Sequence, residues 1–218
     1  MVPELCPAIT VMVRHSLEEG IFPSNLGKAL VKPIKKAANL SNESLSSFRP
    51  VSLLPFVSKV IEKSVQCQLV EYLEEHRLYP SEQSGYRKFH SCETLNLKLN
   101  EDMLIALDGN KVIALVMLDM SAAFDTVDHT QLLGTLYHVY GITSTPLKWF
   151  QSYLECRRFS VNISGSHSTE HLQENGVPQG SILGPILFIL YAKHIQHIAG
   201  KTKQNETKQN TFIDKPHH

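Results

Sequence analysis

From Val112 to Leu118 the chain reads VIALVML, with no charge and no breaker, and the next residue is Asp119. An unbroken apolar run fits a strand covered on both faces, because a strand with one wet face alternates apolar and polar residues. Such a strand would deliver the Asp119 carboxylate to a fixed point at the end of a sheet. Ala122 and Ala123 add little bulk, so Phe124 would set an aromatic edge close to that carboxylate. Metal-dependent phosphoryl transfer uses a strand-end acid of this kind. Asp119 could equally cap the turn or helix after the strand, where Asp is common.

A second stretch, Gly176 to Gly184, reads GVPQGSILG and runs straight into the apolar PILFILY. Glycines let backbone approach a ligand closely. Gln179, between Pro178 and Gly180, offers an amide that both donates and accepts. Ser181 is placed to cap a helix beginning at Ile182. The same residues also read as a glycine-rich turn before a core helix, and the Lys with Ser or Thr of a Walker loop is missing.

Upstream, two segments set cations beside turns. Phe48 to Lys63 reads FRPVSLLPFVSKVIEK, where Arg49 precedes Pro50 and Lys59 opens an amphipathic helix. Glu82 to Asn96 reads EQSGYRKFHSCETLN, where Arg87 and Lys88 follow Gly85 and Tyr86. Such cations suit phosphate oxygens, with Arg able to engage two at once, although each also reads as a solvated surface charge. Lys28, Lys32, Lys35 and Lys36 gather around Pro33, and Arg87, Lys88 and Lys98 form another group. Neither is interleaved with the aromatics of a stacking platform. The 21 basic residues are balanced by 21 acidic ones, which argues against strong indiscriminate binding to nucleic acid.

Periodicity predicts a helix over 5–19 ended by Gly20, an extended piece around 29–33, and a helix over 57–77. In the latter, Val60, Ile61, Val65, Leu69, Tyr72 and Leu73 share one face. Ser91 is expected to cap a helix over 92–107, closed by Gly109 and Asn110. Further helices should run from Asp128 or Thr130 to Gly141, and from Pro146 through Trp149, Phe150, Tyr153 and Leu154. Arg158 to Ser164 reads as a strand, turning at Gly165 and Ser166 into a partner through Leu172. The fold class expected is α+β, helix-rich with a small antiparallel sheet. Beyond Gly200 the Lys, Gln, Asn and Thr content leaves nothing to bury, so residues 200–218 are expected to be a disordered polar tail.

Cys6, Cys67, Cys92 and Cys156 form no CxxC pair, so free thiols in a reducing compartment are expected, without a disulfide partner. The pairs His194 with His197 and His217 with His218 lack further ligands at zinc spacing. The run Ile182 to Ala192 is broken by Gly184 and Pro185 and falls short of the roughly 20 residues of a membrane span. No secretory signal is evident, so a nuclear or cytoplasmic location without a membrane is expected.

Taken in order, FRPVSLLPFVSKVIEK, QSGYRKFHSCET, LDMSAAFDTVDH and GVPQGSILGP resemble the reverse transcriptase domain of non-LTR (LINE-type) retrotransposons. GIFPSNLGKALVKPIKK and LKWFQSYLECRRFSVNISG are similar as well, so the likeness covers roughly Val2 to Ala199. It implies an RNA-directed DNA polymerase, a nucleotidyltransferase of right-hand architecture, with residues 1–199 forming a partial domain of fingers and part of the palm. It implies an RNA template, a DNA primer, deoxynucleoside triphosphates and two Mg2+ ions. By this likeness Asp119 is the catalytic residue and metal ligand, and the backbone from Met120 to Ala123 runs alongside the triphosphate. Phe124 is then a steric gate against a ribose 2′-hydroxyl. Gln179 and Gly180 lie against the nucleotide and template base, and Arg49, Lys59 and Arg87 contact phosphate.

After Tyr191, members of this family continue to a hairpin carrying FADD or YADD, where this sequence reads AKHIQHIAGKTKQNETKQNTFIDKPHH. Two ions about 3.5 to 4 Å apart need more than one carboxylate, and Asp125 and Asp128 better suit the start of a helix. The expectation is a truncated domain, inactive alone. The alternatives are a catalytically silent nucleic-acid-binding remnant, or an unstable product with uncovered sheet edge and apolar faces.

Overall fold

The computed structural model describes residues 2–79, 83–117, 119–120 and 122–193. The expected tail over 200–218, both histidine pairs, Leu118 and Glu82 lie outside the described residues. Six helices are described: α1 (Val2–Glu19), α2 (Phe56–Glu75), α3 (Cys92–Asp108), α4 (His129–His138), α5 (Ser144–Glu155) and α6 (Gly184–Tyr191). The strands are β1 (Lys28–Lys35), β2 (Phe48–Leu53), β3 (Arg158–Ile163), β4 (Ser166–His167) and β5 (His171–Leu172).

Local chemistry accounts for several of these boundaries. Ser91 and Thr94 form a capping box at α3, with each side chain bonded to the other's backbone N–H. Asp128 caps α4 by accepting the Gln131 N–H at 2.8 Å, the helix-start role expected of it. Ser181 is not the cap expected of it, because α6 begins at Gly184 with Leu183 in the capping position, although the Ser181 hydroxyl accepts from the Gly184 N–H at 2.9 Å.

The strands run in the order β2-β1-β3-β4, with β5 also paired to β3. β1 and β2 are antiparallel, Leu30 facing Leu53 and Ile34 facing Arg49. β1 and β3 are parallel, Lys28 facing Arg158, so the sheet is mixed and the expected antiparallel sheet is corrected. Antiparallel neighbours can be joined by a hairpin, but parallel ones need a long crossover. Here α2 through α5 intervene. The partner of β3 is also interrupted, because the Ser168 hydroxyl accepts the Val161 N–H at 2.9 Å in place of a ladder carbonyl. That break separates β4 from β5.

The core lies between helices. Ile61, Val65, Leu69 and Leu73 of α2 face Leu132 and Leu136 of α4, Trp149, Phe150, Tyr153 and Leu154 of α5, and Ile186, Leu187 and Leu190 of α6. Phe22 meets Trp149 and Tyr153 edge-on, with ring centroids 5.8 and 5.2 Å away. The Trp149 indole N–H donates to Ser16 Oγ at 3.0 Å, which ties α1 to α5. Among the described residues no helix is long and apolar enough to cross a membrane.

One expectation fails outright. Residues 111–117 form no strand, and Val112 and Met117 are 99% and 85% exposed. A run of apolar side chains is stable as a buried strand only when backbone partners and a covering layer are present. No strand among the described residues pairs with this run. Its neighbour α3 has no buried residue among those described and leaves Leu97, Leu104 and Ile105 exposed.

Leu136→Ala, at a fully buried position, is expected to cost about 2 to 5 kcal/mol in denaturant unfolding. Leu97→Ala should change stability by about 0.5 kcal/mol or less. Equal losses at the two positions would contradict this division between packed and unpacked helices.

Candidate nucleotide and template site

The GVPQGS loop meets two distant parts of the chain. Its first half lies on the turn that follows Asp119: the Gly176 N–H donates to Val127 O and the Val177 N–H to Phe124 O, each at 2.7 Å. His129 Nε2 is 2.8 Å from the Gly176 carbonyl and so donates to it. Its second half lies on the edge of β2, where the Ser52 N–H donates to Gln179 O at 2.7 Å. Both approaches require glycine. A Cβ at Gly176 would stand 2.8 Å from Asp125 Cα and Phe124 O, and one at Gly180 would stand 2.6 Å from Ser52 O. Gly180 also holds φ at +124°, which side chains rarely allow.

Behind the loop sits a fully buried charge pair. Glu62 of α2 and Arg157, between α5 and β3, are 0% and 1% exposed, with Glu62 Oε1 3.1 Å from Arg157 Nη2. The same oxygen accepts from the Ser58 hydroxyl at 3.1 Å. Oε2 accepts the Ile182 N–H at 2.7 Å and, more weakly, the Leu183 N–H at 3.4 Å. Arg157 Nε donates to Tyr153 O at 3.2 Å, and its guanidinium lies 4.0 Å from the Tyr153 ring centroid and 4.9 Å from that of Phe22. Among the described residues the Tyr153 hydroxyl and Arg157 Nη1 find no hydrogen-bond partner. Burial pushes the Tyr153 hydroxyl well above the ordinary tyrosine range.

This two-sided loop can be set beside known proteins. Residues 34–214 match the family model described as reverse transcriptase (RNA-dependent DNA polymerase). The chain belongs to the reverse transcriptase family. The probable RNA-directed DNA polymerase from transposon X-element of Drosophila melanogaster is 34% identical over 187 residues, which is 84% of this chain and 20% of that protein. The RNA-directed DNA polymerase from mobile element jockey of Drosophila funebris is 31% identical over 193 residues, 88% of this chain and 21% of its own length. These relatives are non-LTR retrotransposon reverse transcriptases, and this reverse transcriptase chain spans about a fifth of their length. In fold it is similar to apo telomerase of Candida tropicalis truncated from its C-terminal domain, with a TM-score of 0.55 and 16% identity over 81% of this chain and 40% of that one.

Within this reverse transcriptase domain the expected site residues are only partly gathered. Phe124 is half-buried, its ring centroid 5.4 Å from that of Phe188 in α6, and Ala123 beside it is half-buried too. Gln179 is half-buried and Gly180 exposed, both on the clamped loop. Arg49 lies exposed on β2, three residues before Ser52, so the strand that meets the loop also carries this cation. Lys59 is half-buried on α2. Neither cation has an ion-pair partner among the described residues, whereas Arg87 lies 3.5 Å from Glu74 and stacks 5.3 Å above the Tyr79 ring. Asp119 is exposed.

A two-ion centre needs several carboxylates converging on one point. Among the described residues no three His, Cys, Asp or Glu side chains are grouped to hold a metal, so these residues do not fit a Mg2+ pair. Burial alone raises the Asp125 carboxyl above the usual Asp range. Glu62 and Arg157 were not singled out from sequence. The available signal was periodic: Glu62 falls on the face of α2 that carries Ser58, Ile61, Val65 and Leu69, a position where a charge must be buried.

Gly180→Ala is expected to lower stability by more than about 1 kcal/mol and to disorder the loop, read by unfolding and by loss of protection at the Ser52 amide. For Asp125, folding favours the protonated acid, so its contribution is fully present below the ordinary Asp value and is lost as pH rises through the raised one. Asp125→Asn should therefore be more stable than the parent at neutral pH, by less than about 1 kcal/mol because the residue is solvent-screened. The difference should vanish below about pH 4, and a gain that grows toward acid would contradict the assignment.

Proposed function

We propose that this domain forms the fingers and part of the palm of a retrotransposon RNA-directed DNA polymerase, and that it holds an RNA template, a DNA primer and a deoxynucleoside triphosphate. The clamped loop supports this reading most directly, because Gln179 and Gly180 stand between the turn carrying Phe124 and the strand carrying Arg49. In this reading Gln179 and Gly180 meet the nucleotide and template base. Arg49 and Lys59 contact phosphate, as does Arg87 if it leaves Glu74. Phe124, with Ala123 beside it, excludes a ribose 2′-hydroxyl by a steric clash of about 1 to 3 kcal/mol.

Asp119 is proposed as one catalytic carboxylate and metal ligand. No group of three His, Cys, Asp or Glu side chains that could hold a metal is found among the described residues, so these 218 residues by themselves are proposed to bind primer–template without extending it. A second reading, an unstable product, draws on the exposed run over 111–117 and on α3.

Both readings meet in two assays on the full chain. Filter binding of an RNA template annealed to a DNA primer should show retention that weakens with salt. Arg49→Ala and Lys59→Ala should each reduce the slope against salt by about one ion. Primer extension with Mg2+ should give no product, and extension abolished by Asp119→Ala would overturn the inactive assignment. No retention even at low salt, together with non-cooperative unfolding, would favour the unstable product.

A further inference from the structure

We propose that Glu62 and Arg157 are positioning residues for the nucleotide loop, through which helix α2 sets where Gln179 and Gly180 lie. This inference rests on the reading of those two residues as nucleotide contacts. A helix begins with N–H groups that have no partner within the helix. At the first residue of α6 the Ser181 hydroxyl takes the Gly184 N–H, and just before the helix the N–H groups of Ile182 and Leu183 find their acceptor outside the loop. Both are taken by one Glu62 oxygen, 120 and 121 residues earlier in the chain, at 2.7 and 3.4 Å.

A neutral side chain could cap these amides at lower desolvation cost, so a fully buried carboxylate here needs a further reason. The other oxygen supplies it. Oε1 receives Arg157 and Ser58, each at 3.1 Å, which orients the carboxylate so that Oε2 faces the loop. Gln179 and Ile182 are therefore held three residues apart, the first by β2 through Ser52 and the second by α2 through Glu62. The turn after Asp119 holds only the loop's beginning, at Gly176 and Val177. Gly180 and Ser181 thus span two anchors, the Ser52 bond on β2 at Gln179 and the Glu62 bond on α2 at Ile182, so losing the Glu62 anchor frees one end of this half and leaves the first half in place.

The test uses the full chain with Glu62→Gln, Arg157→Met and the two combined, read by amide hydrogen exchange and by binding of RNA–DNA primer–template. Glu62→Gln leaves Arg157 buried without its counter-charge. It should speed exchange at Ile182 and Leu183 by about tenfold relative to Leu136 in α4, which gauges global stability. Primer–template affinity should fall by about fivefold. The combined variant should restore both, since the Gln oxygen still accepts from Ile182 and no charge remains buried.

If Glu62→Gln does not fold, Ser58→Ala removes one orienting donor and should accelerate the same two amides selectively. Exchange at Ile182 and Leu183 that stays unchanged, or that changes only in step with Leu136, would overturn the proposal. Selective acceleration without any effect of Glu62→Gln or Gln179→Ala on primer–template binding would uphold the positioning and remove the nucleotide-contact reading on which it was built.

Discussion

At the Glu62 carboxylate a helix, a strand junction and a loop meet with no exposed surface. Its two oxygens receive four donors, from Ser58, Arg157, Ile182 and Leu183. The stability of the domain comes chiefly from apolar burial around Phe22, Leu136, Trp149 and Leu187. An ion pair taken out of water contributes little net free energy over a well-packed apolar replacement. What it does contribute is direction. Arg157 lies against the faces of Phe22 and Tyr153, so the cation is held by rings that a hydrated charge would not tolerate, and its approach to Glu62 is fixed by the core itself.

The consequence is an uneven molecule. The GVPQGS loop is tied down by backbone hydrogen bonds to 124–127 and to Ser52, and by the buried carboxylate. Yet the run that leads to Asp119 is exposed and unpaired. Both fall within residues 34–214, the stretch that matches the reverse transcriptase family model. The described residues therefore hold the GVPQGS loop at several points and leave the run before Asp119 uncovered.

How far the sequence could be read depended on the range of each interaction. Caps are local, and the Ser91 and Asp128 caps follow from residues three positions away. The apolar face of α2 repeats every three to four residues, so its burial was legible as well. The parallel pairing of β1 with β3 joins segments separated by four helices, and no local pattern reports strand direction. Glu62 was read as part of a motif and not as a buried partner, because its counter-charge lies 95 residues away. The run from Val112 misled for a different reason. Hydrophobicity records what a segment would bury if covered, not whether the cover is present.

Limited proteolysis with thermolysin under native conditions tests this account most directly, since both segments offer apolar residues to the same enzyme. The prediction is that the earliest cuts fall within 111–117 while 176–183 stays intact until the whole domain unfolds. Cleavage within 176–183 as early as within 111–117 would contradict it, because a loop held by Glu62, Ser52 and Phe124 cannot open while the core stands.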